Sequence, residues 1–323
     1  MTSRREGAEL DALKRLAGRA PSAHNTQPWR LYSVGEGYEL GWWADRELPV
    51  GDPTRRDLYL SLGAYVEAFS IASAALGVPL RPEIAPDPGR RWVARFARAA
   101  APYATRFTAA DLAGRRSARG EYVPGALPET VFADVRAELA GTGAGLWRGG
   151  SRALAPLLDD ADRWMFGDGP SVGELRRWLR LRKTAAAPGD GLSADALGLS
   201  RAQARGLDAV LRPCVYRALR PVGLPRLLAG ASRGVLRAEG TVSVLTADAA
   251  EPGPAELIGY GRGLLRVWLG LARAGYATHP LSQLIDCPGG AARLAGVVGA
   301  APLAVFRVGR PVAEPVRSRR LTD

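Results

Sequence analysis

An α+β fold is predicted for this 323-residue sequence. Helical and strand-like segments mix without a βαβ rhythm, which argues against a doubly wound parallel sheet. No G-x-G-x-x-G run opens a helix after a strand, so the dinucleotide-binding fingerprint is missing. Apolar residues make up 47% of the chain, enough for a sizeable core and too many for a disordered chain.

The elements follow in order. Leu10, Leu13, Leu16 and Ala17 recur at helical spacing and predict a helix over 9–19. Residues 21–28 read as a loop. Strands are predicted over 29–34 and 38–44, around the Gly35-Glu36-Gly37 turn. Asp52-Pro53-Thr54 opens a helix that is apolar nearly all round, runs to Leu76 and stops at Gly77. Residues 91–97 alternate as a strand does. Pro128 opens a helix to Leu139. A short strand over 144–147 and helices over 151–165 and 172–182 come next. Residues 183–234, rich in Gly, Pro and Arg, read as an irregular excursion with short helices, a candidate lid. A strand over 241–246, a second long buried helix over 255–274 and a strand over 302–308 complete the chain.

One internal repeat stands out. Leu62-Gly63 through Leu76-Gly77 parallels Tyr260-Gly261 through Ala274-Gly275, with the same interval between glycines. An early glycine lets two helices approach closely, and a late one suits the left-handed turn after a helix. Two unrelated core helices ending at glycine would look the same.

Composition narrows the function. The formal net charge is +12, nearly all of it arginine, since Lys14 and Lys183 are the only lysines. The arginines are scattered along the chain, whereas nucleic-acid patches cluster on one element; no nucleic-acid partner is expected. The two cysteines, Cys214 and Cys287, give neither a disulfide framework nor a metal quartet. Residues 1–11 are polar and charged, so no signal peptide is expected. The longest uncharged apolar run, 294–306, is broken by Pro302 and is shorter than the ~20 residues of a spanning helix. A cytoplasmic protein without a membrane partner is expected. There is no Walker A or H-E-x-x-H motif, and two histidines poorly support a metal site or a Ser-His-Asp triad.

The densest chemical signal is Ala20-Pro21-Ser22-Ala23-His24-Asn25-Thr26-Gln27-Pro28-Trp29. Hydroxyls and amides between a helix and a strand can offer donors and acceptors to a planar polar ligand without ionising. By itself this is also ordinary loop chemistry. The stretch closely resembles the A-P-S-x-x-N-x-Q-P-W motif of the nitroreductase family. That resemblance implies an FMN site in which Pro21, Ser22 and Asn25 touch the flavin, while Gln27, also counted among the binding residues, and Trp29 anchor the loop. His24 falls at a variable position and reads as a loop histidine.

A second signal is Arg115-Arg116-Ser117-Ala118-Arg119. Forked guanidiniums beside a hydroxyl suit a phosphate monoester, although a bare basic run is often a solvated face. The segment resembles the family's R-R-S-x-R, which implies that Arg115, Ser117 and Arg119 bind the FMN phosphate and ribityl chain, with Arg116 facing elsewhere. Thr278-His279-Pro280-Leu281-Ser282-Gln283 resembles the stretch that lies against the flavin ring. It implies roles for Pro280, Leu281 and Ser282; His279 is open between substrate contact and structure. Val308-Gly309-Arg310-Pro311 and the terminal Arg317-Ser318-Arg319-Arg320 resemble the family's closing segment, whose basic residue returns to the phosphate; Arg319 is the candidate, the other arginines of the segment stay open, and a frayed basic tail is the alternative.

The order of motifs departs from the ordinary family. Here the loop motif precedes the arginine motif, and each occurs once, in different halves. The chain therefore resembles the fused, pseudo-dimeric nitroreductase-like proteins of actinobacteria. The resemblance implies a nitroreductase-like fold of two degenerate halves, each a mainly antiparallel sheet flanked by helices. The first half would span 1–110 with the loop, and the second 111–323 with the arginines and the excursion. It implies FMN as cofactor, NAD(P)H as donor, and ping-pong hydride transfer through flavin N5 to a nitro, quinone or enone compound. It also implies a monomer or weak homodimer. A flavin-dependent biosynthetic dehydrogenase using oxygen, and a protein that stores FMN without catalysis, are the alternatives.

Overall fold

The structure, a computed structural model, describes residues 2–182, 189–231, 234–249, 251–318 and 320–322. The chain opens with α1 (Thr2–Ala17), β1 (Trp29–Val34), β2 (Gly37–Trp42), α2 (Arg56–Ala75), β3 (Leu80–Asp87) and β4 (Trp92–Arg98). Next come α3 (Ala109–Gly114), α4 (Glu129–Ala137), β5 (Ala144–Gly150), α5 (Ser151–Gly167), α6 (Gly169–Trp178), β6 (Leu179–Arg180) and β7 (Leu192–Ser193). Then α7 (Arg201–Val210), α8 (Pro213–Leu219), α9 (Leu224–Ala231), β8 (Thr241–Ala247), α10 (Pro254–Arg273) and β9 (Ala277–Pro280) follow. The last elements are α11 (Gln283–Asp286), α12 (Gly290–Val298) and β10 (Ala301–Gly309).

The fold is α+β. Two four-stranded sheets, ordered β1-β2-β4-β3 and β5-β8-β10-β9, are antiparallel throughout. One hydrophobic core joins them, from Leu40 and Phe96 in the first sheet, through Phe69 and Leu265, to Leu245 and Phe306 in the second. Helices α2 and α10 pack against each other at its centre. A Cβ at Gly63 would collide with the carbonyl oxygen of Ile258, and one at Gly261 with that of Leu60. The early glycines of the repeat therefore mark the point where the two backbones cross. The late ones, Gly77 (φ +69°) and Gly275 (φ +82°), take the left-handed turn after each helix. Helix α2 is long and apolar enough to span a membrane by length and composition; here Leu62, Tyr65, Phe69 and Ile71 lie in the core.

Some elements differ from expectation. Helix α1 begins earlier than periodicity indicates, because residues 2–8 carry no apolar stripe to read. Strand β3 is not expected from the sequence because Pro82 and Pro86 interrupt it. It lies at a sheet edge, where a missing N–H is tolerated. The helix expected to reach residue 182 stops at Trp178, since Leu179 and Arg180 pair in parallel with Leu192 and Ser193. The apolar run 294–306 divides at Gly299 (φ +77°) into the end of α12 and most of β10. The excursion contains α7, α8 and α9; its residues 183–188 and 232–233 lie outside the described residues.

Candidate functional site

The loop over residues 21–28 has an unusual backbone. His24 (φ 47°), Asn25 (φ 56°) and Gln27 (φ 50°) all sit in the left-handed region, which costs energy in side chains other than glycine. Surrounding hydrogen bonds enforce it. The Gln27 amide N–H donates to Ser22 Oγ at 2.9 Å. Gln27 Nε2 donates to the Gly189 carbonyl at 2.9 Å, and Gln27 Oε1 accepts from the Leu321 N–H at 3.0 Å. Asn25 Nδ2 donates to the Gly191 carbonyl at 2.9 Å, and the Gly191 N–H donates back to the Asn25 carbonyl. The Arg320 guanidinium donates to Asn25 Oδ1. Arg46 ties the Thr26 carbonyl at 2.6 Å and Asp190 at 3.1 Å. The loop is thus clamped by the excursion and by the end of the chain, both distant in sequence.

The exposed side of this loop forms one wall of a cavity of about 390 Å³, within the ~300–1,000 Å³ usual for small-molecule sites. Pro21, Ser22 and Asn25 line it; so do Arg115, Ser117, Arg119, Pro280 and Ser282. The convergence has a structural cause. Residues 117–118 run alongside β9, through a parallel bridge of Ser117 to Thr278 and an Ala118 N–H bond to the Thr278 carbonyl at 3.1 Å.

Two proposed binding residues lie outside the wall. Gln27 is only 1% exposed, and both ends of its amide are committed to the backbone, so it holds the loop and does not reach the cavity. Leu281 turns into the core beside Leu154 and Val305, and its N–H is bonded to the Val305 carbonyl at 2.8 Å. Arg116, expected to face elsewhere, does line the cavity, held by the Ala113 and Arg115 carbonyls. Arg319 lies outside the described residues; its neighbours Arg317, Ser318 and Arg320 line the cavity.

One part of the wall is strongly cationic. Arg115 is 7% exposed. Its Nη2 donates to the Arg19 carbonyl at 3.3 Å, and its Cζ lies 5.7 Å from the Trp268 ring centroid. Burial, reinforced by neighbouring Arg116, lowers its pKa to about 10. Burial also holds Arg119 below its ordinary value. His24 is pushed down to about 4 by burial and then by Arg119, with Asp57 opposing. His279 is driven well below its usual range by burial, Arg119 and Arg307. Both histidines are therefore neutral at pH 7. Buried His279 Nδ1 and Trp268 Nε1 have no hydrogen-bond partner among the described residues, which is costly unless something else satisfies them.

Another part is acidic. Arg56 Nη2 lies 2.7 Å from both Asp57 and Asp286, two carboxylates that line the cavity. Burial and then Asp57 raise the Asp286 carboxyl above its ordinary range. A third part is apolar: Leu192, Leu197, Leu207 and Leu211 from the excursion, with Phe166 and Leu179. No cluster of three or more His, Cys, Asp or Glu able to hold a metal occurs among the described residues. Arg19, Trp268 and the Asp57–Arg56–Asp286 bridge are additional to the residues expected from the sequence. Trp268 was visible on the repeat helix, but the bridge joins residues 230 positions apart and had no local signal.

No protein-family model matches the chain. Over 76 residues, 24% of its length, it is 42% identical to a Mycobacterium tuberculosis protein named "Putative NAD(P)H nitroreductase Rv3131", of which 22% is covered. Over 73 residues, 23% of its length, it is 40% identical to "Putative NAD(P)H nitroreductase acg" of the same species, again with 22% covered. The chain thus matches about a fifth of the length of these curated relatives. Within that stretch it is similar to proteins that carry the nitroreductase name.

Proposed function

We propose that the cavity binds FMN and that the chain is an oxidoreductase taking electrons from NAD(P)H. The observation that carries this reading is Arg115. It is a buried guanidinium on which no carboxylate among the described residues acts, in a cavity bordered by Arg119 and the Ser117 hydroxyl. A buried cation without a counter-charge fits an incoming anion, and a phosphate monoester matches this donor set. Trp268 Nε1 and His279 Nδ1, without a partner among the described residues, belong to the same cavity lining and fit a ligand with further polar atoms.

When bound, FMN supplies the hydride chemistry that joins NAD(P)H to a nitro, quinone or enone acceptor. The chain binds, orients and excludes water. Arg115, Arg119 and Ser117 would hold the phosphate end. Pro21, Ser22 and Asn25, together with Pro280 and Ser282, would hold the remainder of the cofactor. The leucines of the excursion would keep water from the reacting face. The names of the mycobacterial relatives support NAD(P)H as donor.

The same reading takes the chain as two degenerate halves folded as an intrachain pseudo-dimer. Each half has one antiparallel four-stranded sheet and one long helix, and the helices cross at matching glycines. The loop comes from the first half and the arginines from the second.

The test is the absorbance spectrum of the purified chain before and after anaerobic NADPH. A flavin spectrum that NADPH bleaches is expected. A colourless protein that does not take up added FMN would refute cofactor and activity together. Bound flavin that NADPH leaves oxidised would favour storage, a reading that the leucine cover over the cavity also fits.

A further inference from the structure

The consecutive helices α8 and α9 have a feature that the cavity does not explain. Part of the segment is well anchored. Tyr216 and Leu224 pack with Val172 and Leu211 in a small separate core, and the Tyr216 hydroxyl donates to the Phe166 carbonyl at 2.6 Å. Leu219, Val222 and Leu227 of the same segment are exposed to solvent, the last two 75% and 73%. Among them stand Arg212, Arg217, Arg220 and Arg226, all exposed. No acidic residue occurs between Asp208 and Glu239, and none of the four arginines is ion-paired with a described residue.

We propose that this α8–α9 segment is a peripheral docking surface for an anionic lipid bilayer. The three aliphatic side chains would enter the headgroup boundary while the arginines meet lipid phosphates. Exposed aliphatics interspersed with cations, with no acid in the same stretch of chain, are the composition of an interfacial membrane contact. A second copy of the chain fits poorly, because a two-fold contact would set arginines against arginines. A nucleic acid fits poorly too. Single-strand binders stack bases on exposed aromatics, and the only aromatic between residues 212 and 231 is the buried Tyr216. The expectation of no membrane partner came from the lack of a clean spanning run, a criterion blind to an interfacial patch.

The proposal is independent of the cofactor. Cys214, at the start of α8, is exposed, while Cys287 is buried, so the full chain can be labelled there with a polarity-sensitive dye. The labelled protein is mixed with vesicles of phosphatidylcholine, or of phosphatidylcholine with phosphatidylglycerol. Co-sedimentation and a blue shift are expected with the phosphatidylglycerol vesicles only, fading as salt screens the charges. An Arg217→Gln/Arg220→Gln variant should bind roughly 25-fold more weakly, at about fivefold per arginine. Replacing Leu219, Val222 and Leu227 with Ser should abolish the blue shift while leaving the melting temperature near wild type. Absence of binding to either vesicle would overturn the proposal, as would unchanged binding by the serine variant. Self-association lost in the serine variant, without vesicle binding, would assign the surface to a second copy instead.

Discussion

Arg115 concentrates the energetic conflict of the site in one residue. Its guanidinium is buried with only weak neutral acceptors nearby, so the free protein bears a desolvation cost that a bound phosphate would relieve. An Arg115→Met chain should therefore melt higher than wild type without ligand. Its affinity for FMN should fall roughly tenfold or more, since a charge-assisted hydrogen bond is typically worth ~1.5–3 kcal/mol. Riboflavin, which has no phosphate, should bind both proteins alike. Calorimetry and titration check the two halves of this prediction, and equal losses for both ligands would remove Arg115 from the phosphate site. At this scale the sequence was informative about residue type but not about geometry. It singled out Arg115 and Ser22, both of which line the cavity. It could not show that Gln27 spends its amide on Gly189 and Leu321, because those partners come from distant parts of the chain.

Among the elements, the crossing of α2 and α10 is the most constrained. Gly63→Ala or Gly261→Ala would drive a methyl into a facing carbonyl, and the helices would have to separate. Overpacking of this kind typically costs ~1–3 kcal/mol, occasionally more. Gly259, on the same helix as Gly261, has nothing within 4 Å of where a methyl would sit; Gly259→Ala should instead stabilise by about 0.5–1 kcal/mol through helix propensity. Urea denaturation of the three variants checks the sign as well as the size. Similar losses at all three glycines would mean that the crossing is not where the constraint lies. The repeat was readable because close approach and left-handed turns both demand glycine, and glycine spacing survives in the sequence. Strands β3 and β9 were not readable: one carries prolines at a sheet edge, and the other is only four residues long.

For the whole molecule, the arrangement of the cavity predicts stoichiometry. The loop over 21–28 and the arginines of 115–119 line one cavity within a single chain, so each chain should bind one FMN without a second copy. Subunits carrying Asn25→Ala can be mixed with subunits carrying Arg115→Ala under conditions that permit exchange. A site complete within one chain would regain no tight binding, because every chain keeps one defect. Recovery of part of the tight sites would show that the motifs meet between chains.

The sequence by itself determined which chemical groups were available and roughly where helices and strands would lie. Local rules govern both: apolar periodicity sets an element's exposed and buried sides, and a motif such as 20–29 or 115–119 is contiguous. Only the tertiary structure decided which of those groups share a cavity. Arg320 reaches Asn25 across nearly the whole chain, the excursion's Leu197 and Leu211 line the same cavity as the loop, and Arg56 bridges Asp57 to Asp286. These contacts depend on how two sheets and two long helices pack around one core, and packing leaves no periodic signature in the residues that it brings together.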